Sequence, residues 1–269
     1  MINPEVLKIK NTIIETRRDL HKHPELSFKE FRTSKIVSEK LEKFGFEVQT
    51  NIGKTGVIGV LKGKRKGKTI AMRADMDALP IQETSDVPYK SINDGIMHAC
   101  GHDAHVAILL GAAEILSKKI NQINGNIKFI FQPAEEGFGG AQYMIDDGAI
   151  DDVDEIYGLH VWNYQKAGTV GIKSGPVMAA ASGMCGEVAL KPNTQKPKFV
   201  GTAKTRAARG ATRPTRTNMK ETRGMEAVGA VMISVKMWTL PSMPPSTTLW
   251  TQWIVTNSWV KMAWALRMC

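Results

Sequence analysis

Cysteine is scarce in this chain, which has three among 269 residues, at positions 100, 185 and 269. Three scattered cysteines cannot build the disulfide framework of a small secreted domain, and they fit a reducing compartment. The chain also lacks an apolar run long enough to cross a bilayer, and its charged N-terminal stretch lacks the apolar segment of a secretion signal. These absences predict a cytoplasmic protein that does not enter a membrane.

Acidic residues are nearly absent from the last third of the chain. Residues 1–181 contain 23 basic and 23 acidic side chains, whereas residues 182–269 contain 13 basic and 3 acidic ones. The last third therefore contains the whole net charge of +10, and it has no Asp, Tyr or His. Such an abrupt change indicates either a different module or a shift of reading frame, and we favour the second. We expect residues 182–269 to be a basic tail rich in Thr, Arg, Met and Trp, disordered or frameshifted.

The first 181 residues alternate between helical and strand patterns, which is typical of an α/β fold. Helices are predicted over about residues 4–21, 28–45, 104–120 and 141–150. Strands are predicted over about residues 46–50, 56–63, 68–80, 125–137 and 155–162. The basic stretch KGKRKGK (62–68) lies between two of these strands and is interpreted as a polar hairpin tip. We expect a mostly parallel twisted sheet flanked by helices.

Four polar motifs accompany the predicted strand ends: RADMDALP (73–80), HACGHDAH (98–105), PAEEG (133–137) and GLHVW (158–162). Ligands of open α/β sheets bind outside the carboxyl ends of the strands, so these motifs can converge there. Thiolate, imidazole and carboxylate are the ligand types of zinc and similar divalent ions. In an adjacent glutamate pair, one carboxylate can hold a metal while the other takes a proton from water.

In their order and spacing, these four motifs resemble the M20 metallopeptidases, in particular their amidohydrolase branch of aminoacylases, hippurate hydrolases and auxin-conjugate hydrolases. DLHKHPELSFKEFRTS (19–34) and SGPVMAA (174–180) are similar to the same branch, so the resemblance covers about residues 4–181. It implies that residues 1–181 form the N-terminal portion of an M20 catalytic domain. It also implies hydrolysis of N-acyl amino acids, small molecules in which an amide joins an acyl group to an amino acid.

The resemblance also implies roles for individual residues. The implied ligands of one or two divalent ions (Zn, Mn, Co or Ni) are Cys100, His102, Glu136 and His160. Glu135 is implied as the general base that takes a proton from metal-activated water and returns it to the leaving amine. Asp77 and Asp103 are expected to hydrogen-bond to the ligands and orient them. His98 and His105 are interpreted as structural or solvated residues, with support of the site as the alternative.

The chain departs from the M20 pattern after residue 181. The family has a further histidine ligand and an inserted lid domain that takes part in dimerisation, but this sequence has no histidine after His160. We therefore expect the lid, the last ligand and the closing strands to be absent, which leaves the oligomeric state open. An inactive metal-binding remnant of the family is one alternative function. Nucleic-acid binding through residues 191–223 is another, less favoured because basic and aromatic residues are segregated in the tail.

Overall fold

The fold is taken from a computed structural model, which describes residues 3–163, 168–171 and 230–232. The helices are α1 (Pro4–Lys22), α2 (Phe31–Lys43), α3 (His102–Ser117) and α4 (Gly140–Asp146), with a short 3-10 helix at Ile120–Gln122. The strands are β1 (Glu47–Ile52), β2 (Gly56–Lys62), β3 (Arg65–Asp75), β4 (Asn124–Gln132), β5 (Glu155–Gly158), β6 (His160–Trp162), β7 (Val170–Gly171) and β8 (Ala230–Met232). Within these residues, no helix combines the length and apolar character needed to span a bilayer.

Strands β1 to β5 form one mixed sheet in the order β1-β2-β4-β3-β5. Strand β3 runs parallel to both of its neighbours, β4 and β5, whereas β2 runs antiparallel to β1 and β4. Only β2 therefore points against the other four strands, and the predicted α/β fold with a mostly parallel sheet is confirmed. Strands β6, β7 and β8 form a separate sheet in the order β6-β8-β7.

Helices pack on both faces of the main sheet, because successive side chains of a strand point to opposite faces. In β4, Phe129 and Phe131 belong to the larger core, which contains side chains of α1, α2 and α3. Ile130, between them, belongs to a smaller core that contains Met144 of α4. Helix α1 begins at the cap residue Asn3, whose side chain accepts the backbone N–H of Glu5. Alternate side chains of β4 thus lie in two different cores, one on each face of the sheet.

Two local predictions were wrong. Residues 155–162, predicted as one strand, form two, because β5 pairs with β3 in the main sheet whereas β6 pairs with β8. The stretch 62–68 is not a hairpin tip, since β4 lies between β2 and β3 in the sheet. Two further predictions concern residues after 181: the basic tail, and the loss of the lid and closing strands. These residues lie outside the described part of the chain, except for Ala230–Met232. A domain boundary at residue 181 stays a prediction.

Phe129 offers a direct test of the larger core. Its side chain is fully buried and packs edge-on against Phe46, with ring centroids 5.1 Å apart. Phe129→Ala would leave a cavity, so we expect the free energy of unfolding, measured by urea denaturation, to fall by about 3–5 kcal/mol. The control is Phe138→Ala at a side chain that is 66% exposed, where we expect a change below about 0.5 kcal/mol. Equal losses at the two positions would contradict the core described above.

Candidate active site

The parallel strands bring the polar motifs to one edge of the main sheet. Strands β3, β4 and β5 end at Asp75, Gln132 and Gly158, and a polar motif lies at each end. The carboxyl ends of parallel strands share an edge, so the predicted convergence follows from this topology. Three overlapping groups of donors result, with the ligand atoms of each group within 4.8 Å of one another. The groups are Cys100–His102–His160, Asp75–His102–His105 and His102–Glu135–Glu136.

Gly101 permits the close approach of α3 and β6. It caps α3 with a φ of 88°, in the left-handed region, and a Cβ atom there would lie 2.3 Å from Cγ2 of Val161. Glycine avoids both the strain of that backbone conformation and the clash. The ring centroids of His102 at the start of α3 and His160 in β6 consequently lie 6.2 Å apart.

His102 belongs to all three donor groups and is fully buried. Its Nδ1 lies 2.8 Å from the backbone oxygen of Asp77 and donates a hydrogen bond to it, which fixes the orientation of the ring. Its Nε2 has no hydrogen-bond partner among the described residues and lies 3.9 Å from a carboxylate oxygen of Glu135 and of Glu136. A buried, unpartnered nitrogen that faces two carboxylates suits a cation bound between them.

The electrostatics around His102 also favour a cation. Burial acts to lower the pKa of His102, but the charge of Asp75 and the hydrogen bond to Asp77 outweigh it and raise the pKa to about 11. Burial acts to raise the pKa of Asp75, but the charge of Arg73 and the hydrogen bond from His105 outweigh it and hold that pKa well below its usual range. The negative potential that retains a proton on His102 would equally attract a divalent ion, which competes with that proton.

Asp77 holds the loop that carries the two glutamates. Its Oδ1 accepts the backbone N–H of Glu135 and its Oδ2 that of Glu136, both at 3.0 Å. The hydroxyl of Ser27 donates to Oδ2 at 2.7 Å. Burial acts to raise the pKa of Asp77, but the hydrogen bonds from His102 and Ser27 outweigh it and lower the pKa. Asp77 thus contacts both His102 and the glutamate loop, as an orienting residue would; the role itself stays a prediction.

The two glutamates differ in their surroundings. The side chain of Glu135 is 41% exposed and that of Glu136 is 24% exposed. Burial, and then the negative charge of Asp75, raise the pKa of Glu135. In the described part of the chain, Oε1 of Glu136 is buried without a hydrogen-bond partner. A carboxyl with a raised pKa suits proton transfer near neutral pH, whereas an unsatisfied buried oxygen suits a cation.

Cys100 and His160 lie on another side of the cluster, with Sγ 3.3 Å from Nε2 of the imidazole. His105 connects this side to β3 and β6. Its Nδ1 donates to Asp75 at 2.5 Å, and its Nε2 accepts the backbone N–H of Val161 at 2.9 Å. His105 is therefore buried rather than solvated, and it ties β6, with His160, to α3. Of its two interpretations, the structure favours support of the site.

Asp103 lies in a different buried cluster. Its Oδ2 is 2.8 Å from Nε of Arg17 and from Nδ1 of His21, both in α1. Among the described residues it belongs to none of the donor groups. The structure therefore places Asp103 against α1 rather than against the predicted metal ligands, because its position in the first turn of α3 faces α1. His98 is buried too, and burial lowers its pKa to about 4.

Asp103→Asn should lower the free energy of unfolding at pH 7 by roughly 3 kcal/mol, because Arg17 and His21 would lose a charged partner. Burial acts to raise the pKa of Asp103, but the hydrogen bond from His21 and the charge of Arg17 outweigh it and depress that pKa. A depressed pKa adds stability that is present above the unfolded-state value of about 4 and is lost as the pH falls below it. The difference between variant and wild type should therefore shrink towards pH 3 in urea denaturation. Asp86→Asn, at an exposed carboxylate, is the control; a difference independent of pH would contradict the expectation.

Sequence reasoning missed Asp75 as a member of the site. Asp75 lies in one of the three donor groups, 3.6 Å from Nε2 of His102, and Arg73 donates to it at 2.7 Å. A signal was available, because the alternating side chains of a strand place Arg73 and Asp75 on one face at the end of β3.

Comparison with known proteins finds one family and several relatives. The model of "Peptidase family M20/M25/M40" matches residues 71–255. Thermostable carboxypeptidase 2 of Saccharolobus solfataricus is 51% identical over 178 residues, which are 65% of this chain and 45% of that protein. N-acyl-L-amino acid amidohydrolase of Geobacillus stearothermophilus is 48% identical over 174 residues, 64% of this chain and 47% of that protein. A crystal structure of a dinuclear metal binding peptidase from the M20 family of Bacillus subtilis is 43% identical, with a TM-score of 0.61, over 64% of this chain and 48% of that chain.

These matches also describe the extent of the chain. It spans about half the length of the curated relatives it matches. The family model runs past residue 181, into the stretch that composition sets apart from the rest.

Proposed function

Because this chain belongs to peptidase family M20/M25/M40, as its motifs predicted, we propose that it hydrolyses the amide bond of N-acyl amino acids. The observation that carries the proposal is the buried Nε2 of His102, which has no partner among the described residues and faces the two adjacent glutamates at 3.9 Å. We assign Glu135 as the general base. The proposed metal ligands are Cys100, His102, Glu136 and His160.

The donor set fits a divalent ion. Thiolate, imidazole and carboxylate donors suit Zn, Mn, Co or Ni, and the three overlapping groups contain enough donors for two ions. When bound, such an ion supplies a Lewis acid that polarises the substrate carbonyl and makes water more acidic. The Bacillus subtilis relative, named as dinuclear metal binding, supports occupancy by two ions.

Glu135 moves the proton in this proposal. Its carboxylate takes a proton from the attacking water and gives it to the nitrogen of the leaving amine. The amine therefore leaves as a neutral molecule and not as a nitrogen anion. Burial and Asp75 raise the pKa of Glu135, which strengthens it as a base. Asp77 fixes the backbone N–H groups of both glutamates, so Glu136 can stay on the metal while Glu135 remains free to exchange its proton.

The names of two relatives support a substrate with an amide next to an amino-acid carboxylate. One is an N-acyl-L-amino acid amidohydrolase and the other a carboxypeptidase. A peptide with a free carboxyl terminus is consequently the comparison substrate.

The purified full chain tests the proposal with N-acetyl- and N-benzoyl-amino acids, and with a dipeptide as the comparison substrate. We expect release of the free amino acid, loss of turnover with a chelator, and recovery on addition of Zn, Mn, Co or Ni. Metal binding without turnover of any of these substrates would instead indicate an inactive metal-binding remnant of the family.

A further inference from the structure

Glu30 is a buried residue whose carboxylate does not cap its own helix. It occupies the cap position of α2 with no side-chain hydrogen bond to that helix, and it is fully buried. The backbone N–H groups at the start of α2 are instead held by Glu25, whose carboxylate accepts those of Arg32 and Thr33 at 2.9 and 2.8 Å. Burying a carboxylate costs free energy unless its oxygens find donors, so the partners of Glu30 are informative.

Both oxygens of Glu30 bind partners far along the chain. Oε1 accepts the backbone N–H of Ala134 at 2.9 Å, and Oε2 accepts the hydroxyl of Thr55 at 2.5 Å. Ala134 directly precedes Glu135. It is fully buried and has a φ of 49°, a left-handed conformation that a residue with a Cβ rarely adopts. Such strain persists where the surrounding contacts hold the backbone, and it concentrates at functional loops.

Two carboxylates thus hold three consecutive backbone N–H groups. Glu30 accepts the N–H of Ala134, and Asp77 accepts those of Glu135 and Glu136. In the interior of a regular strand or helix these N–H groups would bind backbone carbonyl oxygens, whereas here two buried carboxylates hold the path of the loop.

We propose that Glu30 is a positioning residue for the general base: by holding Ala134 in its left-handed conformation, it sets the direction in which the side chain of Glu135 leaves the loop. The positioning role rests on the proposed function, whereas the contact with Ala134 does not. Without the contact, Ala134 can relax to an ordinary backbone conformation and rotate the following peptide, which displaces the carboxylate of Glu135. Small displacements of a catalytic group are costly because proton transfer needs hydrogen-bond distance.

Three variants of the full chain separate positioning from general stability. Glu30→Met removes both acceptors at nearly constant volume. Glu30→Gln keeps a carbonyl oxygen that can accept the N–H of Ala134, in a side chain of nearly the same size. Glu25→Met is the matched control, because it removes a carboxylate that also accepts two backbone N–H groups but contacts Arg32 and Thr33 rather than the loop.

The primary measurement is hydrogen exchange of the Ala134 amide, followed by NMR. We expect Glu30→Met to speed its exchange by about ten-fold or more, with Glu30→Gln and Glu25→Met close to wild type after correction for global stability. In assays of N-acetyl-amino acid hydrolysis, Glu30→Met should lower kcat by roughly ten- to a hundred-fold, with KM changed by less than about two-fold. Glu30→Gln should restore kcat.

Each outcome supports or overturns the proposal. Unchanged exchange at Ala134 in Glu30→Met, or equal losses of kcat in Glu30→Met and Glu25→Met, would overturn it. A wild-type chain without turnover would refute the proposed hydrolase function, and exchange would still decide whether Glu30 holds Ala134. If Glu30→Met does not fold, Glu30→Asp takes its place, since it keeps the charge but withdraws the carboxylate from Ala134 by one methylene group.

Discussion

Glu135→Gln is expected to lower kcat for N-acetyl-amino acid hydrolysis by about 10²–10⁴-fold, the usual contribution of a general base. Glutamine has nearly the same size and can still hydrogen-bond, but it cannot accept the proton of the attacking water. Its backbone N–H would continue to donate to Asp77, so the loop should keep its path. Steady-state kinetics of the metal-loaded full chain measure the effect.

The pH dependence of activity provides a second test of Glu135. Burial and Asp75 raise the pKa of Glu135, and a general base works only when it is deprotonated. Activity should therefore fall as the pH drops through this raised pKa, which places the acid limb above the value of about 4.3 for an ordinary glutamate. An acid limb at or below that value would show that Glu135 is not the group whose ionisation limits the rate.

The neighbouring residue provides a control with the same chemical change. Glu136→Gln should weaken divalent-metal binding, because it removes a proposed ligand, whereas Glu135→Gln should leave metal affinity close to wild type. Metal titration by calorimetry distinguishes the two. Full turnover in Glu135→Gln would refute its role as the base, and a loss of metal affinity confined to Glu135→Gln would exchange the two assignments.

Local patterns in the sequence predicted the elements that build the site. The apolar spacing of α1 placed a helix over about residues 4–21, close to the observed Pro4–Lys22, because that pattern and the cap at Asn3 act within a few residues. Convergence of the motifs was also predictable, since strand direction alone brings the ends of parallel strands to one edge. The split between β5 and β6 was not, because it depends on pairing with β3 and β8, which are distant in sequence.

Contacts between segments that are distant in sequence limit how well the partners of an individual side chain can be predicted. Glu30 reads as an ordinary surface glutamate near the start of a helix, and only folding brings it to Ala134, 104 residues along the chain. Asp103 follows a predicted ligand directly, yet its side chain binds Arg17 and His21 in α1. Spacing along the chain does not encode the direction in which such a side chain points; the packing of α1 against α3 does.

His102→Gln is expected to lower the affinity for divalent metal by about 100-fold or more, because it removes the one donor shared by all three groups. Cys100→Ser should also weaken binding and should remove the thiolate-to-metal absorption band of the Co-loaded protein. His23→Gln is the matched control. The His23 imidazole bonds to the backbone oxygen of Asp19 at 2.8 Å and, among the described residues, belongs to none of the donor groups.

The pH dependence of metal affinity tests whether the metal displaces a proton from His102. Asp75 and Asp77 raise the pKa of His102 to about 11 despite burial, so a metal must displace a proton from it throughout the neutral range. Apparent affinity should therefore increase by up to about ten-fold per pH unit between pH 6 and 8, and this dependence should weaken in His102→Gln. An affinity in wild type that does not change with pH would mean that the ion binds without displacing this proton.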